Sequence, residues 1–287
     1  MRHAGLACFT CREVVCRTEP RAPAWLMKIA NIVIDRPEAL NAMNMAVLEG
    51  LLADLQWAAA DPEVRAIVIT GAGDKAFSAG ADIAFLNQAT PMQVRELARL
   101  AVEVNHRIET LGKPVIAALN GYALGGGLEL AEACAIRVAA SHAVMGHPEV
   151  RIGAVAGFGG TTRLPRMVGK GRAAEMLMTG RLVDANEALA IGLVNHVVPA
   201  AELLPTAERI ARDLASCPAT AVWLTWEALH RGLNMSLEES AGLGADYFGL
   251  AALSPGFREG TAAFLRRDDQ RAVALPALSP RPGCLPS

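Results

Sequence analysis

Between residues 28 and 200 the chain alternates short apolar runs with amphipathic stretches. "KIANIVID" (28–35) reads as a strand, and Asn44 opens a helix whose Val47, Leu48, Leu51, Leu52 and Leu55 form one apolar stripe. The Asp61–Pro62 turn leads into "VRAIVITGAG", an apolar strand that ends in a glycine turn. Thr90, Pro91 and Gln93 then predict a capped helix start, with Thr90 as N-cap and Gln93 closing a capping box. "KPVIAALNG" is a buried strand, the glycines of "NGYALGGGLELAEAC" (120–134) open a helix, and "IRVAAS" and "AVMGHPEV" add two strands. Asp184 and Glu187 predict a second capping box ahead of "ANEALAIG", followed by the strand "LVNHVV". Beyond residue 201 the period turns helical, over 206–215, 219–231, 237–252 and 258–267.

This pattern divides the chain without cutting it. Residues 27–200 read as a mixed α/β core and 201–271 as a helical region of the same domain, because no Pro/Gly linker separates them. Residues 1–26 show no clear period and are expected to be a poorly structured extension, with Met27 as a possible start. A mitochondrial presequence is the alternative, which Glu13, Glu19 and the lack of serine argue against. Residues 272–287 carry four prolines and read as a loose tail.

Composition narrows the function classes. The net charge is −2, and of 27 basic residues only Lys28, Lys75, Lys113 and Lys170 are lysine, which argues against a nucleic-acid footprint. No apolar run approaches the roughly 18 residues of a membrane span. The cysteines are Cys8, Cys11, Cys16, Cys134, Cys217 and Cys284. Cys8 and Cys11 form a C-x-x-C with no second pair, so neither a zinc site nor a redox motif is expected. Their scatter suits reduced thiols in a cytoplasmic compartment.

The glycine loops fail three familiar tests. After Gly127 comes Leu128 rather than the lysine of a phosphate loop. Leu130 and, in "GFGGTT" (157–162), Thr162 stand where a dinucleotide fingerprint needs its last glycine. "AFSAG" (76–80) lacks the first glycine of a serine-hydrolase elbow. What remains is a helix start with accessible backbone N–H groups, able to stabilise an anion that forms during a reaction. Glu129 in the first turn would stand beside that charge as acid or base, although a carboxylate there also simply complements the helix dipole. Glu149, in a Pro- and Gly-rich turn after a strand, could return towards it. His147 and Glu149 would share a strand face, with His142 pointing away, so no metal site is expected.

Five stretches in order carry a resemblance: "IDRPEALNAMN", "ITGAGDKAFSAGADI", "KPVIAALNGYALGGGLELAEAC", "GHPEVRIGAVAGFGGTTRLPRMVG" and "TGRLVDANEALAIGLVNHVVP". Over about residues 28–267 the chain resembles the enoyl-CoA hydratase/isomerase (crotonase) family, most nearly a short-chain enoyl-CoA hydratase. The resemblance implies an α/β crotonase-like spiral of ββα units with C-terminal helices that assemble trimers or hexamers. It implies that the N–H groups of Ala81 and Gly126 form an oxyanion hole for the thioester oxygen of an acyl-CoA. Glu129 would deprotonate the water and Glu149 would supply the α-proton. Arg36, Ala39, Leu40, Ala79, Ala81, Asp82, Ile83, Ala84 and Gly126 would hold substrate and CoA. The implied activity is hydration of a trans-2-enoyl-CoA to a 3-hydroxyacyl-CoA in fatty-acid breakdown. It needs no cofactor and no metal, because CoA is part of the substrate.

The presence of both glutamates favours a hydratase over a Δ3,Δ2-enoyl-CoA isomerase, which moves its proton with one carboxylate. A non-catalytic or RNA-binding member is the remaining alternative, disfavoured by the scarcity of lysine. Several positions depart from the family pattern. Ala84 replaces a common lysine, Ala135 a common aspartate and His147 the usual glutamine, while Asp268 and Asp269 interrupt the C-terminal basic run. Arg36, Arg266 or Arg267 would then compensate in binding CoA.

Overall fold

The computed structural model describes residues 12–16 and 27–266. Cys8, Cys11, Arg267 and the tail from 272 lie outside the described residues. The strands are β1 (Arg12–Cys16), β2 (Met27–Ile34), β3 (Val64–Gly71), β4 (Ala76–Ser78), β5 (Val115–Leu119), β6 (Tyr122–Leu124), β7 (Ile136–Ala140), β8 (Val144–Gly146), β9 (Leu182–Asp184) and β10 (His196–Val198). The helices are α1 (Met45–Ala60), α2 (Ile83–Gln88), α3 (Pro91–Thr110), α4 (Gly126–Ala133), α5 (Gly160–Val168), α6 (Lys170–Thr179), α7 (Ala185–Ala190), α8 (Leu203–Ser216), α9 (Ala219–Gly232), α10 (Leu237–Ala252) and α11 (Pro255–Arg266).

Two sheets share the strands in a repeating manner. The six-stranded sheet runs β1-β2-β3-β5-β7-β10 and the four-stranded one β4-β6-β8-β9. Each turn of the chain places one strand in each sheet and then a helix: β3 and β4, β5 and β6, β7 and β8. Stacking these turns gives parallel pairing throughout the middle of both sheets, with antiparallel partners, among the described residues, at β1–β2 and β8–β9. This is the ββα spiral that the resemblance implied.

The strands are buried on both faces. Ile67, Ile69, Val115, Ala117 and Leu119 point into the main core against α1, α3 and α4. Their neighbours Ala66, Val68, Ile116 and Ala118 face Leu203, Ala207, Ile210 and Ala211 of α8. The two-residue period therefore distributes one continuous apolar run over two cores. By contrast, α10 and α11 bury no residue within this chain.

Three local expectations change. A strand forms at Arg12–Cys16 and pairs with β2 in the stretch read as lacking structure. Its "REVVC" is too short to show a period by itself, and β2 supplies the hydrogen bonds. The Thr90–Gln93 capping box forms fully, but at α7 only half of it does. Asp184 accepts from the Glu187 N–H, while the Glu187 carboxylate goes to Arg181 at 2.8 Å. Finally, β8 stops at Gly146, and Glu149 lies in a 3₁₀ turn over Pro148–Ile152 rather than on a strand face shared with His147. Pro148 cannot donate to a ladder and suits the first position of a helical turn.

Candidate active site

The three consecutive glycines at the start of α4 each answer a different close approach. A Cβ at Gly125, whose φ is +49°, would lie 2.7 Å from Glu149 Oε1. One at Gly126 would lie 2.6 Å from the Phe158 ring, and one at Gly127 would collide with the Ser78 carbonyl. The segment Ala79–Asp82 crosses the same helix start. A Cβ at Gly80 would be 3.2 Å from the Gly126 nitrogen, and Met43 pairs with Ala81 as an isolated parallel bridge. Gly126 is the first residue of α4, so its N–H has no acceptor within the helix.

Glu129 is buried in the first turn of α4. Its Oε1 accepts hydrogen bonds from the N–H groups of Phe158 (2.8 Å) and Gly160 (2.7 Å). The loop carrying these donors is held firmly. Arg163 binds Glu109 through two nitrogens, at 2.5 and 2.8 Å, and also donates to the Phe158 carbonyl at 3.2 Å. Asn105 donates to that same carbonyl at 3.0 Å. Burial raises the Glu129 carboxyl to about 7, against the opposing pull of the Gly160 N–H and of His147. It is thus poised to exchange a proton near neutral pH.

The structure brings Glu149 to this place. His147 Nε2 lies 2.9 Å from Glu132 Oε1, and Nδ1 lies 3.9 Å from Glu149 Oε1. A Cβ added at Gly160 would be 2.8 Å from His147 Cε1 and 3.1 Å from Glu129 Oε1, so the imidazole neighbours both carboxylates. Burial alone would lower the His147 imidazole, but Glu132 and Glu149 outweigh it and push it up to about 10. His142 is remote from this cluster, with Nε2 3.2 Å from the Asn120 carbonyl. Among the described residues no group of three or more His, Cys, Asp or Glu is arranged to hold a metal ion.

The remaining candidates line the approach. Ala39 ends a 3₁₀ turn, and Leu40 and Asn41 follow at φ +51° and +57°. Asn41 fixes this loop by accepting from the Arg36 N–H and donating to the Ala72 and Ala76 carbonyls. Arg36 Nη1 donates to the Ala42 carbonyl at 2.9 Å and to Asp82 at 3.0 Å, which ties the Arg36–Leu40 loop to the start of α2. Asp82 caps α2 by accepting from Ala84 and Phe85 N–H. Burial raises its carboxyl, but those bonds and Arg36 hold it below the usual carboxylate range. Ile83 and Ala84 are exposed, and so is Arg266 at the end of α11. A cavity of about 700 Å3 is lined in part by the Ala156, Gly157 and Gly159 backbone next to Phe158. Glu132, Arg137 and Trp226 line it, and neither Glu129 nor Glu149 does.

The donors Phe158 and Gly160 and the residues Glu132 and Arg163 were not singled out by sequence reading. Glu132 carries a signal in retrospect, three residues after Glu129 on the same helix face. The backbone donors carry none, because any residue offers an N–H.

The sequence profile of the family described as enoyl-CoA hydratase/isomerase matches residues 27–271. A crotonyl-CoA hydratase of Syntrophomonas wolfei is 45% identical over 240 residues, covering 84% of this chain and 92% of that protein. A short-chain-enoyl-CoA hydratase of Clostridium acetobutylicum is 41% identical over the same shares. The crystal structure of an enoyl-CoA hydratase from Bacillus anthracis superposes with a TM-score of 0.81 at 36% identity, covering 89% of this chain and 96% of that one. With its ββα spiral, its glycine-opened helix and its pair of glutamates, the chain belongs to the enoyl-CoA hydratase/isomerase family.

Proposed function

We propose that this protein is an enoyl-CoA hydratase that adds water across a trans-2-enoyl-CoA thioester to give the 3-hydroxyacyl-CoA. The observation that carries the reading is the convergence of Glu129 and Glu149 on the Gly126 helix start, with His147 beside both. The relatives named crotonyl-CoA hydratase and short-chain-enoyl-CoA hydratase support it. An isomerase needs only one of the two carboxylates, so the pair favours hydration.

In the proposed reaction the thioester oxygen sits between the N–H groups of Ala81 and Gly126. Glu129 takes a proton from water, and the hydroxide oxygen bonds to C3. The C2–C3 π electrons move onto the thioester, and the two N–H groups stabilise the enolate oxygen. The enolate collapses as C2 takes a proton from Glu149. Each oxyanion donor is worth roughly 3–4 kcal/mol of barrier, and each acid or base about 10²–10⁴ in rate. The loops Arg36–Leu40 and Ala79–Ala84 hold the CoA portion, largely through backbone groups.

The same proposal includes a role in the β-oxidation of short acyl chains, in the cytoplasm, without a cofactor. The free thiols of Cys134 and Cys217 fit a reducing compartment. It also includes assembly into trimers, singly or as paired hexamers. Leu237, Phe248, Leu253 and Leu265 of the C-terminal helical region each expose 70% or more of their surface, an apolar area suited to a second copy. Hydration of crotonyl-CoA by the wild-type protein, and its loss in Glu129→Gln and Glu149→Gln with CoA binding retained, tests the reading. Near-normal hydration in either variant overturns it. Conjugation of a 3-enoyl-CoA without hydration would reassign the protein as an isomerase.

A further inference from the structure

Asn105 is a buried amide on α3, with 1% of its surface exposed among the apolar residues of that helix. Its Nδ2 donates to the Phe158 carbonyl at 3.0 Å, while its Oδ1 is buried without a hydrogen-bond partner. Chemistry fixes which atom is which, because a carbonyl only accepts and the nitrogen must face it. A leucine at this position would leave no orphaned acceptor. The amide therefore costs the fold something, and the bond to Phe158 is what it contributes in return.

The same carbonyl accepts from Arg163 Nη1 at 3.2 Å, while Nε and Nη2 of that guanidinium hold Glu109. Donors from α3 and α5 thus fix a single peptide unit, Phe158–Gly159. The peptide units on either side of it carry the Phe158 and Gly160 N–H groups that bond Glu129 Oε1. Gly159 sits at φ +116°, and a Cβ there would lie 2.1 Å from Arg163 Nη1. A glycine restrains the turn little by itself. Gly157 and Gly159 also line the cavity of about 700 Å3, so the turn has open space beside it.

We propose that Asn105, together with Arg163, is a positioning residue for Glu129, holding the Phe158–Gly160 turn so that both N–H groups stay on the carboxylate. This inference rests on the hydratase reading, in which Glu129 takes the proton from water. N–H donors favour the ionised carboxylate, and only that form can accept a proton. A turn released at the Phe158 carbonyl draws its N–H groups away from Oε1, and Glu129 then ionises at a higher pH. The other charged groups around Glu129 are Glu132 on the same helix, His147 and Glu149 at the 3₁₀ turn, and Arg163 on α5. Arg163 acts on Glu129 by its charge as well as through the turn, whereas Asn105 has no charge and acts through the turn alone.

The test is Asn105→Leu, which removes the donor and the orphaned acceptor and leaves every charge in place. The acidic limb of kcat/KM for crotonyl-CoA hydration should move up by at least about half a pH unit, a roughly threefold loss along that limb. Arg163→Met should move it further in the same direction. A limb that moves in Arg163→Met but not in Asn105→Leu reports charge acting through space and overturns the proposal. A fall by one factor at every pH, with the limb unmoved, assigns Asn105 a merely structural role and also overturns it. Should Asn105→Leu fail to fold, the smaller Asn105→Ala takes its place with the same outcomes. The ¹³C resonance of the Glu129 carboxyl, titrated without substrate, gives the midpoint independently of turnover. Equal midpoints in the wild type and the Asn105 variant overturn the proposal, even where the wild type hydrates no crotonyl-CoA. That last result would fail the hydratase reading, a separate outcome.

Discussion

Glu129 Oε1 lies 2.7 Å from the Gly160 amide nitrogen, a bond between the first turns of two helices 31 residues apart. It fixes one oxygen of the carboxylate and leaves the other for chemistry. It also ties the protonation of Glu129 to the loop that Arg163 clamps.

The pH dependence of hydration follows from that burial. Glu129 must be ionised to accept a proton from water, and burial has raised it to about 7. The acidic limb of kcat/KM should therefore fall near pH 7 rather than near 4.5, the ordinary value for a glutamate. A steady-state profile between pH 5 and pH 9 measures it, and a limb below pH 5.5 contradicts the assignment.

The same group affects stability with a definite sign. Its folded-state pKa lies above its unfolded one, so stability is lost as pH rises from about 4.5 through about 7. Glu129→Gln should be more stable than wild type at pH 8, by up to roughly 3 kcal/mol, and should lose this advantage at pH 4. Urea unfolding at the two pH values reads the difference.

Gly126→Ala should act through Phe158. The added Cβ must displace a ring 2.6 Å away, and the Phe158 N–H is one of the two donors that hold Glu129. We expect a folded protein by circular dichroism with kcat/KM reduced more than about 10²-fold, since one oxyanion donor alone is worth that much. Gly127→Ala, facing the rigid Ser78 carbonyl, should instead lower the yield of folded protein.

Arg163→Met breaks a part-buried pair and leaves Glu109 uncompensated. A loss of about 3–5 kcal/mol in urea unfolding is expected. Adding Glu109→Gln should recover part of it, giving a double variant less destabilised than the sum of the two single losses.

Much of the fold was legible because its signals are local. The caps at Asn44 and Thr90 need only residues three positions apart, and both form as read. The Glu187 half of the second box did not form, because Arg181, three residues ahead of the N-cap Asp184, offers a full charge. The helices beyond residue 201 were visible for the same local reason, whereas β1 was not, since five residues carry no measurable period.

By itself the sequence determined the alternation of strand and helix, the glycine-opened α4 and the placing of Glu129 in its first turn. These follow from periods of two and 3.6 residues and from the backbone freedom of glycine. Only the tertiary structure decided that Glu149 returns to α4, that Phe158 and Gly160 hold Glu129, and that His147 bonds Glu132. Those contacts join residues 15 to 31 positions apart through backbone donors and buried charges. Their strength comes from the absence of water at the meeting point, and that absence exists only once the two sheets and their helices have closed around it.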